Sequence, residues 1–124
     1  MEMTDTERLP HGDCRSVSGV LARVGDKWSV LVVMLLRPAP RRFNDIKRTI
    51  GGISQQMLTR TLRGLERDGL VTRTVYATIP PQVEYALTEL GHSLSAPVMT
   101  LGQWATENIS QIEAARGEYD ARSG

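Results

Sequence analysis

A mostly helical fold with one small β-hairpin is what this sequence predicts, and three features predict it. Apolar residues recur at helical spacing over most of the chain, from Val17 to Ile112. The period shortens towards two only between Leu70 and Leu87. Aromatic residues make up just 5% of the 124 residues, so the core must be built from Leu, Val, Ile and Met, as in packed helices. A chain of this length fits one domain, and 40% hydrophobic with 23% charged residues is the balance of an ordinary globular protein.

The first thirteen residues include Pro10 and Gly12 and few apolar side chains, and read as an N-terminal arm. From Val17 a helix begins, with Val17, Val20, Leu21 and Val24 on one stripe, and Gly25 stops it. Asp26 caps the next helix, Lys27 to Leu36, which is apolar nearly all round and therefore reads as the buried central helix. Pro38 and Pro40 end it.

Arg41-Arg42-Phe43 can form only a very short strand. A third helix starts at Asn44 or the residue before it, with Phe43, Ile46 and Ile50 inward, and Gly51-Gly52 makes the turn after it. Ser54 is a good N-cap for a fourth helix running to Asp68. Met57, Leu58, Thr61, Leu62 and Leu65 form its inward stripe, leaving Gln55, Gln56, Thr59, Arg60 and Arg63 outward. Gly69 stands where a left-handed residue closes the helix.

Leu70 to Tyr76 is rich in β-branched residues and reads as a strand, and Val83 to Leu87 as its return. The loop between them is stiffened by Pro80-Pro81. Thr88 caps a last helical region whose stripe runs through Leu90, Leu94, Val98, Leu101, Ala105, Ile109 and Ile112. Pro97 within that stripe should kink or split it. The expected organisation is an arm over 1–13, a core domain over 14–88, C-terminal helices over 89–116 and a tail over 117–124.

Several function classes find no support. The longest apolar run, Val30 to Leu36, is too short to cross a bilayer, no N-terminal run resembles a signal peptide, and a cytoplasmic location without membrane partners is expected. The lone Cys14 rules out a disulfide framework or a CxxC metal site. His11 and His92 have no ligand partners at metal spacing, and no nucleophile elbow, P-loop or dinucleotide fingerprint is present. Neither an enzyme nor a cofactor or metal is expected.

Charge points to a partner. Between Arg41 and Arg73 eight basic residues face three acidic ones, a balance of +5, although the whole chain carries only +1. A basic middle between acidic ends suits a polyanion, with a merely solvated helix face as the plain alternative. Helix, helix, helix, Gly-containing turn, polar-faced helix and hairpin is also the order of a winged helix-turn-helix. In that fold the N-terminal half of the fourth helix enters the major groove of duplex DNA. Gln can pair with adenine, Arg with guanine, and a Thr methyl can touch thymine. Gln55, Gln56, Thr59 and Arg60 supply those types, and the free N–H groups beside Ser54 suit a phosphate. The hairpin around Arg73 would be the wing.

The residues then match a family. Gly25-Asp26-Lys27-Trp28, opening an apolar helix, resembles the GxKW opening of HxlR-type regulators. Phe43-Asn44-Asp45-Ile46, Gly52 to Thr59, Leu62 to Arg73 and Pro81 to Gly91 resemble their later motifs, so that the likeness runs from about Cys14 to Trp104. The resemblance implies a DNA-binding homodimer of the wider MarR-like kind, a winged helix-turn-helix with N- and C-terminal dimerisation helices. The expected role is a transcriptional repressor on a pseudo-palindromic operator, the rival being a winged module that binds protein. Carried over, Ser54, Gln55, Gln56, Thr59 and Arg60 contact the groove, and Arg63 and Arg73 meet phosphate. Arg63 has an alternative in pairing with Glu66 or Asp68. Val17, Val20, Leu21, Leu94, Val98, Leu101 and Trp104 supply the dimer contact, with intramolecular core as the other use of that stripe.

Some members of the family sense oxidants or electrophiles through a cysteine just before the first helix, where Cys14 stands. Arg15 and a helix N-terminus would favour its thiolate, Asp13 opposes it, and Arg15 replaces the proline common there. A quiet, partly buried thiol is the other reading. With one thiol per chain, a switch needs an intersubunit disulfide, a mixed disulfide or an adduct. A small-molecule effector bound in the dimer crevice is a further option, but no residue set points to its chemistry.

Overall fold

Helix α1 (His11–Val24) leads into α2 (Lys27–Leu36), β1 (Arg41–Arg42), α3 (Phe43–Ile50), α4 (Gln55–Arg67), β2 (Val71–Tyr76), β3 (Gln82–Leu87) and α5 (Glu89–Ser123). This computed structural model describes residues 11–123, with side chains from Arg15 onward. The first ten residues of the expected arm and the Cys14 side chain lie outside the described residues.

Local chemistry sets the boundaries. Asp26 accepts a hydrogen bond from the Ser29 N–H at 3.0 Å, capping α2. Ser54 Oγ does the same for α4, accepting from Met57 N–H at 3.0 Å. Gly51, Gly52 and Gly69 adopt φ of 67°, 69° and 77°, the left-handed region that lets the chain leave α3 and α4 sharply. Thr88 ties two elements together, because its hydroxyl donates to the Gly69 carbonyl at 2.6 Å and accepts from Gly91 N–H at 3.0 Å.

The hairpin strands β2 and β3 are antiparallel, and β1 pairs with the far edge of β3 (Arg41 opposite Tyr85), giving the order β1-β3-β2. One core joins the elements: Val32, Val33 and Leu36 of α2, Ile46 of α3, Leu58, Leu62 and Leu65 of α4, and Val71, Tyr85 and Leu87 of the sheet. The central position expected for α2 is where Val32, Val33 and Leu36 sit.

Two boundaries differ from the sequence reading. Helix α1 starts at His11, six residues before the first apolar member of its stripe. Helix α5 is a single 35-residue helix, Glu89–Ser123, that runs through Pro97 without a split. Pro97 lies exposed while Ser95 and Val98 on either side are buried, so the inward face holds the helix across the lost hydrogen bond. At about 1.5 Å per residue the helix is some 52 Å long, and from Trp104 to Ser123 none of its side chains is buried.

Candidate nucleic-acid interface

The outward face of α4 is built from its inward one. Leu58, Thr61, Leu62 and Leu65 are buried, which leaves Gln55, Gln56, Arg60 and Arg63 exposed and Thr59 half-buried beside them. Gln55, Gln56, Thr59, Arg60 and Arg63 line one shallow depression along the helix. A second notch joins helix to wing, since Gln55, Thr59 and Arg63 line it with Arg73 and Tyr85 of the hairpin. Gln55, Gln56, Thr59, Arg60, Arg63 and Arg73 thus share one continuous surface, while Ser54 lines neither depression and its hydroxyl caps α4.

Its cations are unspent. Asp45 binds both Arg41, at 3.1 Å, and Arg48, at 2.8 Å, and Asp68 binds Arg23 at 2.7 Å. Arg60, Arg63 and Arg73 have no ion-pair partner among the described residues. The local pairing considered for Arg63 is therefore absent there, and its charge faces the notch with that of Arg73 and with the Glu66 carboxylate, which forms no ion pair with either. Arg42, Lys47 and Arg67 are likewise unpaired among the described residues. They entered the sequence reading only as part of the charge balance. Three unpaired guanidiniums on one face suit a regular array of phosphates and base edges.

On the wing, the Tyr76 hydroxyl donates to Glu84 Oε1 at 3.1 Å. That hydrogen bond, and then the carboxylate's charge, raise the Tyr76 phenol above the ordinary tyrosine value. The remaining wing residues of β2 after Val71 are all exposed.

The stripe singled out for dimer contact divides. Val98 is 7% exposed and Leu94 is half-buried against the chain's own core. Val17, Val20, Leu21, Leu101 and Trp104 remain exposed, as do Ile109 and Tyr119 further along α5. An open crevice of about 550 Å³ separates α1 from the start of α5, with Val20, Val24, Leu70, Leu90 and Leu94 on its walls. Among the described residues no cluster of three or more His, Cys, Asp and Glu could hold a metal ion, and no helix is long and apolar enough to cross a membrane.

Sequence reasoning missed Arg23. Its guanidinium reaches from α1 to Asp68, 45 residues away, across the face of α4 at Gly64. The one local signal was a glycine in the interior of α4, a position where glycine is unfavourable.

Known proteins share this arrangement. Residues 23–113 match the model of the HxlR-like helix-turn-helix family. The uncharacterized HTH-type transcriptional regulator YtfH of Escherichia coli is 42% identical over 102 residues, covering 82% of this chain and 81% of the relative. Among solved structures, a transcriptional regulator ytfH from Salmonella typhimurium superposes with a TM-score of 0.77 at 40% identity, over 82% of this chain and 90% of the other. The redox regulator HypR in its reduced form gives 0.74 at 38% identity, over 80% and 98%. With its caps, its Gly-Gly turn, its polar-faced fourth helix and its wing, the chain belongs to the HxlR-like family of helix-turn-helix transcriptional regulators.

Proposed function

We propose that this regulator is a cytoplasmic repressor that binds a pseudo-palindromic operator as a homodimer. The observation that carries the reading is the single surface on which Gln55, Gln56, Thr59 and Arg60 stand beside unpaired Arg63 and Arg73. Two copies of α4 entering successive major grooves about 34 Å apart would require two-fold symmetry in protein and operator. The second copy would cover Val17, Val20 and Leu21 of α1 and the exposed half of α5 from Leu101 and Trp104 onward, which has too little of its own domain to lie against. Leu94 and Val98 would support that surface from beneath, between it and the core.

Sedimentation should give twice the 13.7 kDa chain mass, and DNA affinity should fall steeply as salt rises. Arg73→Ala should weaken binding by a similar factor on all sequences and flatten the salt slope by about one, as the loss of a phosphate contact does. A monomer, or equal competition by random duplex DNA at physiological salt, points instead to a winged module that binds protein.

The likeness to a protein named a redox regulator supports a redox signal, for which Cys14 is the thiol available. Two Cys14 thiols, one per protomer, would each give up a hydrogen to one molecule of diamide and join as a disulfide. Operator affinity should change on diamide treatment in the wild type and not in Cys14→Ser. Equal change in both proteins excludes the thiol.

A further inference from the structure

Few of the described side chains of helix α1 are covered by the rest of the chain. From Arg15 to Ala22 every side chain is exposed, and only Arg23 and Val24, in the last turn, are partly covered. Arg23 Nε donates to Asp68 Oδ2 at 2.7 Å, with both side chains about one-third exposed, at 31% and 32%. The rest of its guanidinium lies on α4 at Gly64, where a Cβ would overlap Nη1 and Cζ. Gly64 and Asp68 are one turn apart, so the flat cation spans a full turn of the helix.

Both α4 residues are poor choices taken alone. A glycine weakens a helix interior, and an aspartate at a helix C-terminus meets the negative end of the helix dipole. One guanidinium reconciles them, since it needs the space that glycine leaves and offsets the charge that aspartate adds. We propose that Arg23 is a positioning residue for DNA reading, fixing the angle between α1 and α4. Arg23 lines a depression with Arg60, one turn before Gly64, and stands away from Gln55 and Gln56 at the other end of α4. Gln56 lies eight residues before Gly64. At about 1.5 Å per residue that is a lever of roughly 12 Å, so a tilt of about 10° displaces the reading end by about 2 Å.

The inference rests on the dimeric reading above, in which α1 carries part of the contact between protomers. The α1–α4 angle then sets the separation of the two reading helices, and hence the spacer between operator half-sites. The test uses the full-length protein and duplexes carrying two copies of the selected half-site with spacers of varied length. Wild type should favour one spacer. Arg23→Ala should keep the half-site sequence preference and the dimeric mass while its preference for that spacer falls by about two- to thirtyfold, the range of couplings carried through packed contacts. Gly64→Ala should broaden the spacing alike by displacing the guanidinium, and should add nothing in the Arg23→Ala background. Arg23→Lys, which keeps the charge without the plane, should restore the preference only in part.

An unaltered spacer preference in Arg23→Ala overturns the clamp and leaves the dimeric reading standing. So does loss of half-site sequence preference together with a lowered melting temperature, which marks general damage. A wild-type dimer that binds half-sites at any spacing overturns the clamp as well, while a wild-type monomer removes the dimeric reading and the clamp with it.

Discussion

Gly91→Ala is expected to destabilise the fold by about 3 kcal/mol, the upper end of the usual cost of overpacking. A methyl group at Gly91 would run into the backbone carbonyl of Leu70, with the Leu87 side chain close behind. That carbonyl cannot step aside cheaply, because it accepts the Thr88 N–H at 3.0 Å at the junction of wing and α5. The first turn of α5 would have to lift away from the start of β2, loosening the support that Thr88 gives to Gly69. For a domain of this size the loss corresponds to about 10 °C or more in melting temperature. Gly117→Ala is the matched control on the same helix. Its site is open, with nothing within 4 Å, and alanine there should stabilise by up to about 1 kcal/mol through helix propensity. Both belong in one denaturation series at a single protein concentration. Gly91→Ala melting with the wild type would mean that α5 docks otherwise than described.

On the binding side the largest effect is expected from Arg60→Ala. Arg60 is exposed on the second turn of α4, has no ion-pair partner among the described residues and shares its depression with Gln56 and Thr59. As a bidentate partner of guanine it should contribute about 1–3 kcal/mol to discrimination, or roughly five- to 150-fold in affinity for the selected site. Random duplex should be bound almost as well as before, which separates Arg60 from a phosphate contact such as that proposed for Arg73. Arg60→Lys should not rescue the loss, since an ammonium lacks the planar fork. Binding titrations on selected and scrambled duplexes read both quantities. Undiminished discrimination in the alanine variant would place base reading elsewhere on the face.

Much of this architecture was legible residue by residue. Asp26, Ser54 and Thr88 announced helix starts because a short polar side chain before an apolar stripe has few other uses, and each accepts the capping bond. The outward set on α4 followed from the 3.6-residue period, which fixes one face once the leucines fix the other. The two ends were harder. Gly12, Asp13, Arg15 and Ser16 offer no apolar residue to register a period, so the first turns of α1 were invisible. Pro97 forbids one hydrogen bond but does not forbid a helix that buried contacts hold on both sides of it. The Arg23–Asp68 pair joins residues far apart in sequence, and no local spacing encodes it. The division of the apolar stripe, with Val98 inward and Leu101 and Trp104 outward, likewise depends on where α5 crosses α2.

The overhang of α5 also bears on how the protein responds to its own abundance. Most of a helix's stability in a protein comes from packing one face, and Trp104 to Ser123 buries none of its side chains in this chain. On the dimeric reading its order is supplied by mass action. Melting temperature would then climb with protein concentration. Operator occupancy would likewise rise more steeply than a simple hyperbola wherever the chain is scarce enough for protomers to separate. Dilution alone would switch such a regulator off before any ligand or oxidant reached it.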